Sequence, residues 1–193
     1  MSDSLSLHSG DYVERYNRKP LDRVRNLARR MVLPKGARVV DLACGNGMLL
    51  HALGQFDGSY DGVDFSADFI ASANAWAARA ALRDYRCHCD DIIAFCTRHP
   101  GAFDVAATLD FSEHVTDDQA VPIYAAIRQA LAPGGRLYLH TPNLQFFMER
   151  AKAAGILPQF PEHIAVRSAA QTVDLLVKAG FPPEGIRASH IAH

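Results

Sequence analysis

The stretch ARVVDLACGNGMLL, residues 37–50, decides how the rest of the chain is read. Val39, Val40 and Leu42 make a short apolar run, the pattern of a strand buried on both faces. Asp41 lies near its carboxyl end, and Gly45 and Gly47 follow at once. From Met48 to Leu53 good helix formers take over. The order is strand, glycine turn, helix. In an open parallel sheet a ligand sits at the carboxyl ends of such strands, and glycine lets it approach the backbone. A dinucleotide fingerprint would put a third glycine near position 50, which is Leu50. An acid at the strand end also suits a positively charged ligand group better than a pyrophosphate.

A chain of 193 residues is long enough for one domain with a real core, and 49% hydrophobic with 21% charged residues is ordinary for a globular protein. The net charge of −1 gives no electrostatic reason to expect nucleic acid. No apolar run reaches the roughly 18–20 residues of a membrane span. The N-terminus lacks the basic-then-apolar order of a signal peptide, so a cytoplasmic location is expected. Cys44, Cys87, Cys89 and Cys96 read as reduced cysteines. Cys87 and Cys89 flank His88, but no second Cys/His pair stands at zinc-finger spacing.

The opening stretch resembles motif I of the class I S-adenosylmethionine (SAM)-dependent methyltransferases, whose glycine loop receives the amino-acid end of the cofactor. Asp41, Ala43, Cys44, Gly45 and Gly47 carry the resemblance, with Ala43 where many members have a glycine. Tyr60 to Val63 reads as a second strand ending at Asp64, the βαβ distance at which a carboxylate takes both ribose hydroxyls. Asp64 as a plain turn residue is the alternative. Phe65 beside it is placed to pack on adenine. Ala67 to Leu82 is helical, and Tyr85 to Cys89 is a third strand ending in Asp90 and Asp91. The resemblance puts the adenine amino group on Asp90, or else on Asp91, with a following backbone N–H, that of Ile92, on a ring nitrogen. Asp91 reads equally as the cap of the next helix.

Phe103 to Leu109 is a fourth strand, with Leu109 at the cofactor. A helix runs from Asp117 to about Leu131, Pro133-Gly134-Gly135 is a turn, and Arg136 to Thr141 is a fifth strand. The segment ALAPGGRLYLHTPN is similar to the family's sequence after motif IV. Residues 168–179 form the last helix, and Ile186 to Ile191 reads as a sixth strand. The expected fold is α/β, a doubly wound, mainly parallel Rossmann-like sheet. The family's usual seventh strand has no sequence here, so the fold is expected to be shortened or the chain truncated. Residues 1–35 are expected as N-terminal helices covering the cofactor site, and 36–193 as the SAM-binding core.

The N-terminal helical region (11–32, interrupted at Pro20) carries Arg15, Arg18, Lys19, Arg23, Arg25, Arg29 and Arg30, either a solvated face or a patch for an anion. Tyr12 and Tyr16 either pack or close over the cofactor. Residues 143–160, with Phe146, Phe147, Met148, Ile156 and Phe160, form an apolar insert that is either core or a flap over the acceptor.

Asp110, Glu113 and His114 follow the fourth strand within five residues and are the catalytic candidates, with His114 as general base. Their spacing also resembles the E-x-x-E-H of ubiquinone-biosynthesis O-methyltransferases, which implies Mg²⁺ or Mn²⁺ on the same three residues. Glu-His in this loop also occurs in methyltransferases without metal, and no metal is the favoured reading. His140, Asn143 and His163 face the same edge as hydrogen-bonded residues or pocket groups. Leu109-Asp110-Phe111-Ser112 departs from the Asn/Asp-Pro-Pro-aromatic run of base-modifying enzymes, which argues against DNA or RNA bases. No G-x-S-x-G elbow is present. The resemblance thus implies methyl transfer from SAM to oxygen or nitrogen of a small molecule, leaving S-adenosyl-L-homocysteine, by a monomer or homodimer. The rivals are an RNA or protein acceptor on the Arg-rich helices, and a SAM-binding partner protein without turnover.

Overall fold

The computed structural model describes Val13, Tyr16, residues 21–160 and residues 162–191. After α1 (Asp22–Ala28) comes β1 (Ala37–Leu42), and the chain winds outward through α2 (Met48–Leu53) to β2 (Gly58–Asp64). It continues through α3 (Ala67–Arg79) to β3 (Tyr85–Cys89). It then crosses back by α4 (Ile92–Arg98) to β4 (Phe103–Leu109) and by α5 (Asp117–Ala130) to β5 (Leu131–His140). α6 (Phe147–Ala153) and α7 (Ala169–Lys178) follow. The five strands are all parallel, in the order β3-β2-β1-β4-β5. The winding reverses at β1, so the carboxyl ends of β1 and β4 flank the crevice where such sheets bind ligands.

Alternate residues of β1 feed the two core layers. Val40 and Leu42 pack with Phe95, Tyr124 and Ile127, while Ala37 and Val39 join Leu49, Tyr60 and Val105 on the other face. All four β1 side chains are at most 1% exposed, which is why the strand reads as a continuous apolar run. Each buried valine or leucine contributes roughly 1.5–3 kcal/mol. The helices start where their caps dictate. The Ser66 hydroxyl accepts from Phe69 N–H at 3.3 Å, and Thr116 with Gln119 and Ser168 with Gln171 form capping boxes.

Four sequence expectations are revised. β5 begins at Leu131 rather than Arg136, because Leu131 pairs with Phe103 and Arg136 with Val105, so Pro133-Gly134-Gly135 loops out as a bulge within the strand. Residues 186–191 form no strand: among the described residues no strand pairs with them, and Arg187 Nη1 donates to the carbonyls of Glu184 and Ile186 at 2.6 and 3.0 Å. Among the described residues β5 therefore closes the sheet. The apolar insert is not core, since Phe146, Phe147, Met148, Ile156 and Phe160 are all exposed. Arg23 does not belong to a solvated face, because it reaches Asp110. Tyr12, Arg15, Arg18, Lys19 and Pro20 lie outside the described residues. Among those described, no helix is long and apolar enough to cross a membrane.

Candidate active site

The turn after β1 has a left-handed backbone at Ala43 (φ 59°), Gly45 (φ 54°) and Gly47 (φ 79°). Gly47 is the N-cap of α2 and needs that conformation. Ala43 adopts the same conformation at a cost of roughly 1–2 kcal/mol, which explains why a glycine is common there. The turn is tied to the end of β2. Cys44 N–H donates to Val63 O at 3.0 Å, and Gly45 N–H donates to Asp64 Oδ2 at 2.9 Å. Asp64 Oδ1 accepts from Ser66 N–H at 2.9 Å, so one buried carboxylate holds the turn and starts the next helix. Gly62 allows the approach, since a Cβ there would lie 3.0 Å from Cys44 Sγ.

Asp41 is 2% exposed. Tyr60 O–H donates to its Oδ2 at 2.7 Å, while Oδ1 is buried with no hydrogen-bond partner. Burial outweighs the tyrosine's hydrogen bond and pushes its carboxyl up to about 7. Asp41, Ala43, Cys44, Leu109 and Asp110 line a cavity of about 10 Å³ together with Tyr16, which lies over the glycine turn. A Cβ on Gly45 would be 3.6 Å from Tyr16 Cε1, and Tyr16 meets Phe69 edge-on at 5.3 Å. A larger groove of about 390 Å³ between α5 and α7 contains none of these strand-end residues.

At the end of β3, Asp90 N–H donates to Asp64 O at 3.0 Å, which sets the two acids side by side. The Asp90 carboxylate accepts from Asp91 N–H at 2.9 Å and pairs with Arg98. Asp91 caps α4, accepting from Ala94 N–H at 2.9 Å. Phe65 is 45% exposed beside these groups, whereas Ile92 packs against the core.

The ends of β4 and β5 carry a second set. Asp110 is left-handed at φ 53° and its N–H donates to His140 O at 2.8 Å. Its carboxylate accepts from His140 Nδ1 at 2.9 Å and from Arg23 Nη1 at 3.0 Å, with a further ion pair to the same guanidinium. Burial, then the Arg23 charge, pushes His140 down to about 4. Glu113 is 1% exposed, accepts from the Thr141 hydroxyl at 3.0 Å, and is raised by desolvation. His114 Nδ1 donates to Glu162 O at 2.9 Å and its ring meets His163 edge-on at 5.2 Å. One ligand atom from each of Glu113, His114 and His163 lies within 4.8 Å of the others. Asp110 is outside that group, its oxygens turned to Arg23 and His140. Asn143 Oδ1 accepts from Gln145 N–H at 3.0 Å in a local turn.

Arg167, absent from the sequence-derived candidates, organises this loop. It is 5% exposed and donates to Ser112 O (2.6 Å), Val115 O (2.8 Å) and Asp117 Oδ1 (2.8 Å). Nothing near position 167 in the sequence marks an arginine for burial, because its partners are some 50 residues upstream.

A parallel sheet with a glycine turn and three acids at consecutive strand ends is the class I SAM-dependent methyltransferase fold. The chain belongs to the methyltransferase domain family, whose model matches residues 12–184. It is 33% identical over 118 residues to a ubiquinone biosynthesis O-methyltransferase of Xanthomonas campestris pv. campestris, covering 61% of this chain and 47% of that protein. It thus spans about half the length of this relative. A SAM-dependent methyltransferase structure from Archaeoglobus fulgidus matches with TM-score 0.71 at 18% identity, over 89% of this chain and 75% of that one. The mitomycin 7-O-methyltransferase MmcR matches with TM-score 0.71 at 22% identity, over 91% and 53%.

Proposed function

We propose that this chain transfers the methyl group of SAM to an oxygen of a small-molecule acceptor. The observation that carries the reading is Asp41 Oδ1, a buried carboxylate oxygen with no partner beside the glycine turn. An anionic oxygen shut away from water needs a donor or a cation, and SAM offers both an ammonium and a sulfonium. The acceptor class is supported by the relative that acts, by name, as an O-methyltransferase in ubiquinone biosynthesis.

Ala43, Cys44, Gly45 and Gly47 would cradle the amino-acid end. Asp64 would add ribose hydroxyls to the two N–H groups it already accepts, because a carboxylate offers about four acceptor sites. Asp90, Phe65 and the Ile92 N–H would take the adenine, Asp91 being engaged as a cap. Leu109 would bound the cofactor opposite α2, and Tyr16, with α1, would cover it. Bound SAM supplies an electrophilic methyl carbon. The protein's part is to align the acceptor oxygen with that carbon and keep water out.

On the acceptor side, Glu113, His114 and His163 fit a divalent ion. His114 gives its Nδ1 hydrogen to a carbonyl, the arrangement that leaves Nε2 as a ligand. Two imidazoles and one carboxylate suit zinc, manganese or cobalt better than magnesium, and such an ion would polarise an acceptor oxygen. This set keeps Glu113 and His114 of the spacing-based trio and exchanges Asp110 for His163.

The test combines calorimetry with SAM and transfer of labelled methyl to phenolic small molecules, RNA and protein. The expected result is binding in the presence of a label that moves to the small molecules. Label found only in macromolecules would overturn the acceptor class, and binding without transfer anywhere would favour a SAM-binding partner protein.

A further inference from the structure

We infer that Glu149, from the first turn of α6, is a fourth protein group of the ion site proposed on Glu113, His114 and His163. The inference rests on that proposed site and adds a residue that lies outside the loop after β4. α6 is inverted for a helix of an apolar insert. Its one buried residue is the acid, at 7% exposure, while Phe147 and Met148 stand 66% and 40% exposed. A glutamate is rarely shut away from water unless its charge is matched. Lys152 Nζ donates to Glu149 Oε1 at 2.6 Å, which accounts for one oxygen. Oε2 is buried with no hydrogen-bond partner.

The contacts of α6 lead to the ion site. Lys152 Nζ lies 4.8 Å from the centre of the Phe160 ring, and that ring is 5.1 Å from the His163 ring. His163 meets His114 at 5.2 Å, and Ala165 N–H donates to Glu113 O at 3.0 Å. The Glu149 charge is near enough to act on Glu113. This corner thus buries two carboxylates against the ammonium of Lys152, since Arg23 is paired with Asp110. Like charges held out of water repel, and a divalent cation beside the imidazoles would offset both. Asp110, the acid that the D-x-x-E-H spacing offered, is bonded to Arg23 and His140, so Glu149 brings the second negative charge from the insert instead. Glu149 lies outside the three residues whose ligand atoms are within 4.8 Å of one another. Its part is therefore to accept from water on the ion, since an ion with three protein ligands keeps an open position and such outer partners tune its affinity. Loading the ion then fastens the insert over the acceptor end.

Calorimetric titration of the full chain with Mn²⁺ and with Zn²⁺, each alone, tests this on the wild type, Glu149→Gln, Lys152→Met and Glu113→Gln. Glu149→Gln keeps the shape and removes the charge, and should weaken metal binding by about 10–100-fold. Lys152→Met disturbs the same helix but removes the competing cation, so its affinity should equal or exceed that of the wild type. Glu113→Gln should weaken binding at least as far as Glu149→Gln. In the wild type, saturating Zn²⁺ should slow amide hydrogen exchange across residues 147–153, a readout that needs no variant to fold. Binding by Glu149→Gln within about threefold of the wild type would overturn the role of Glu149 and leave the three-residue site standing. Equal weakening in Glu149→Gln and Lys152→Met would make the acid a structural partner of α6 and overturn the inference too, as would exchange that Zn²⁺ does not slow. A wild type that binds neither metal, or a Glu113→Gln that binds as well as the wild type, would overturn the proposed ion site and this inference together. The SAM titration and the labelled-methyl assay report on the cofactor reading independently of either result.

Discussion

The two ends of the crevice are built differently. On the proposed cofactor side, Asp41, Gly45, Tyr60, Asp64 and Ser66 are joined by hydrogen bonds spanning at most 19 residues. On the proposed acceptor side, the bonds link residues 87 apart (Arg23–Asp110), 30 apart (Asp110–His140), 28 apart (Glu113–Thr141) and 55 apart (Ser112–Arg167). The first is one βαβ unit closing on itself, so local geometry and glycine placement nearly complete it. The second is assembled only when β4, β5, α1 and the segment after the insert have docked. The difference sets a locally closed end, proposed to grip the cofactor, against an end proposed to take the acceptor, which is assembled from distant pieces.

Arg167→Met should break this contrast most sharply. It strips a buried guanidinium from the carbonyls of Ser112 and Val115, and the loss should be about 1–3 kcal/mol for each orphaned carbonyl in urea unfolding. SAM affinity should fall far less than methyl transfer. Equal losses would mean that the two ends are not independent.

Asp64→Ala acts on the other end. It removes the acceptor of Gly45 and Ser66 N–H as well as the proposed ribose contact, and SAM binding should weaken by about 1–3 kcal/mol in calorimetry. An unchanged affinity would move the cofactor elsewhere.

Tyr60→Phe leaves Asp41 with neither oxygen bonded. The cost should approach about 1–3 kcal/mol at pH 8 and be smaller at pH 5. The sign follows from the raised pKa. Asp41 is protonated in the folded protein below about 7 and charged above it, so a buried bare charge is imposed only at the higher pH. By the same linkage, SAM affinity should climb with pH up to about tenfold per unit below 7 and level off above. A cation beside Asp41 favours its ionised form, so binding releases a proton. Asp41→Asn should bind more weakly and without that slope.

Phe147→Ser should have the smallest effect on stability, within about 0.5 kcal/mol, because the ring is 66% exposed. A fall in transfer rate without a fall in melting temperature would make the insert a flap over the acceptor.

Most of the sheet could be read in advance because each strand carries its own signal. β1, β2, β3 and β4 begin and end within a residue or two of the apolar runs. The exceptions are instructive. Pro133-Gly134-Gly135 has turn chemistry, yet β4 pairs on both sides of it and the turn becomes a bulge. Ile186 to Ile191 has strand composition, but a strand needs a pairing partner, and among the described residues none pairs with it. In the site, Asp91 as a cap was visible in the sequence, whereas the diversion of Asp110 to Arg23 and His140 was not.

By itself, the order of residues determined a parallel α/β sheet with a glycine turn between two acids, because periodicity, caps and glycines act over a turn or a strand. Only the tertiary structure decided that Asp41 is buried with a bare oxygen, that Arg167 is sunk beneath the loop after β4, and that Asp110 is bonded to Arg23 and His140. Those outcomes depend on which distant groups share one small volume with little water, and no local stretch of sequence encodes that volume.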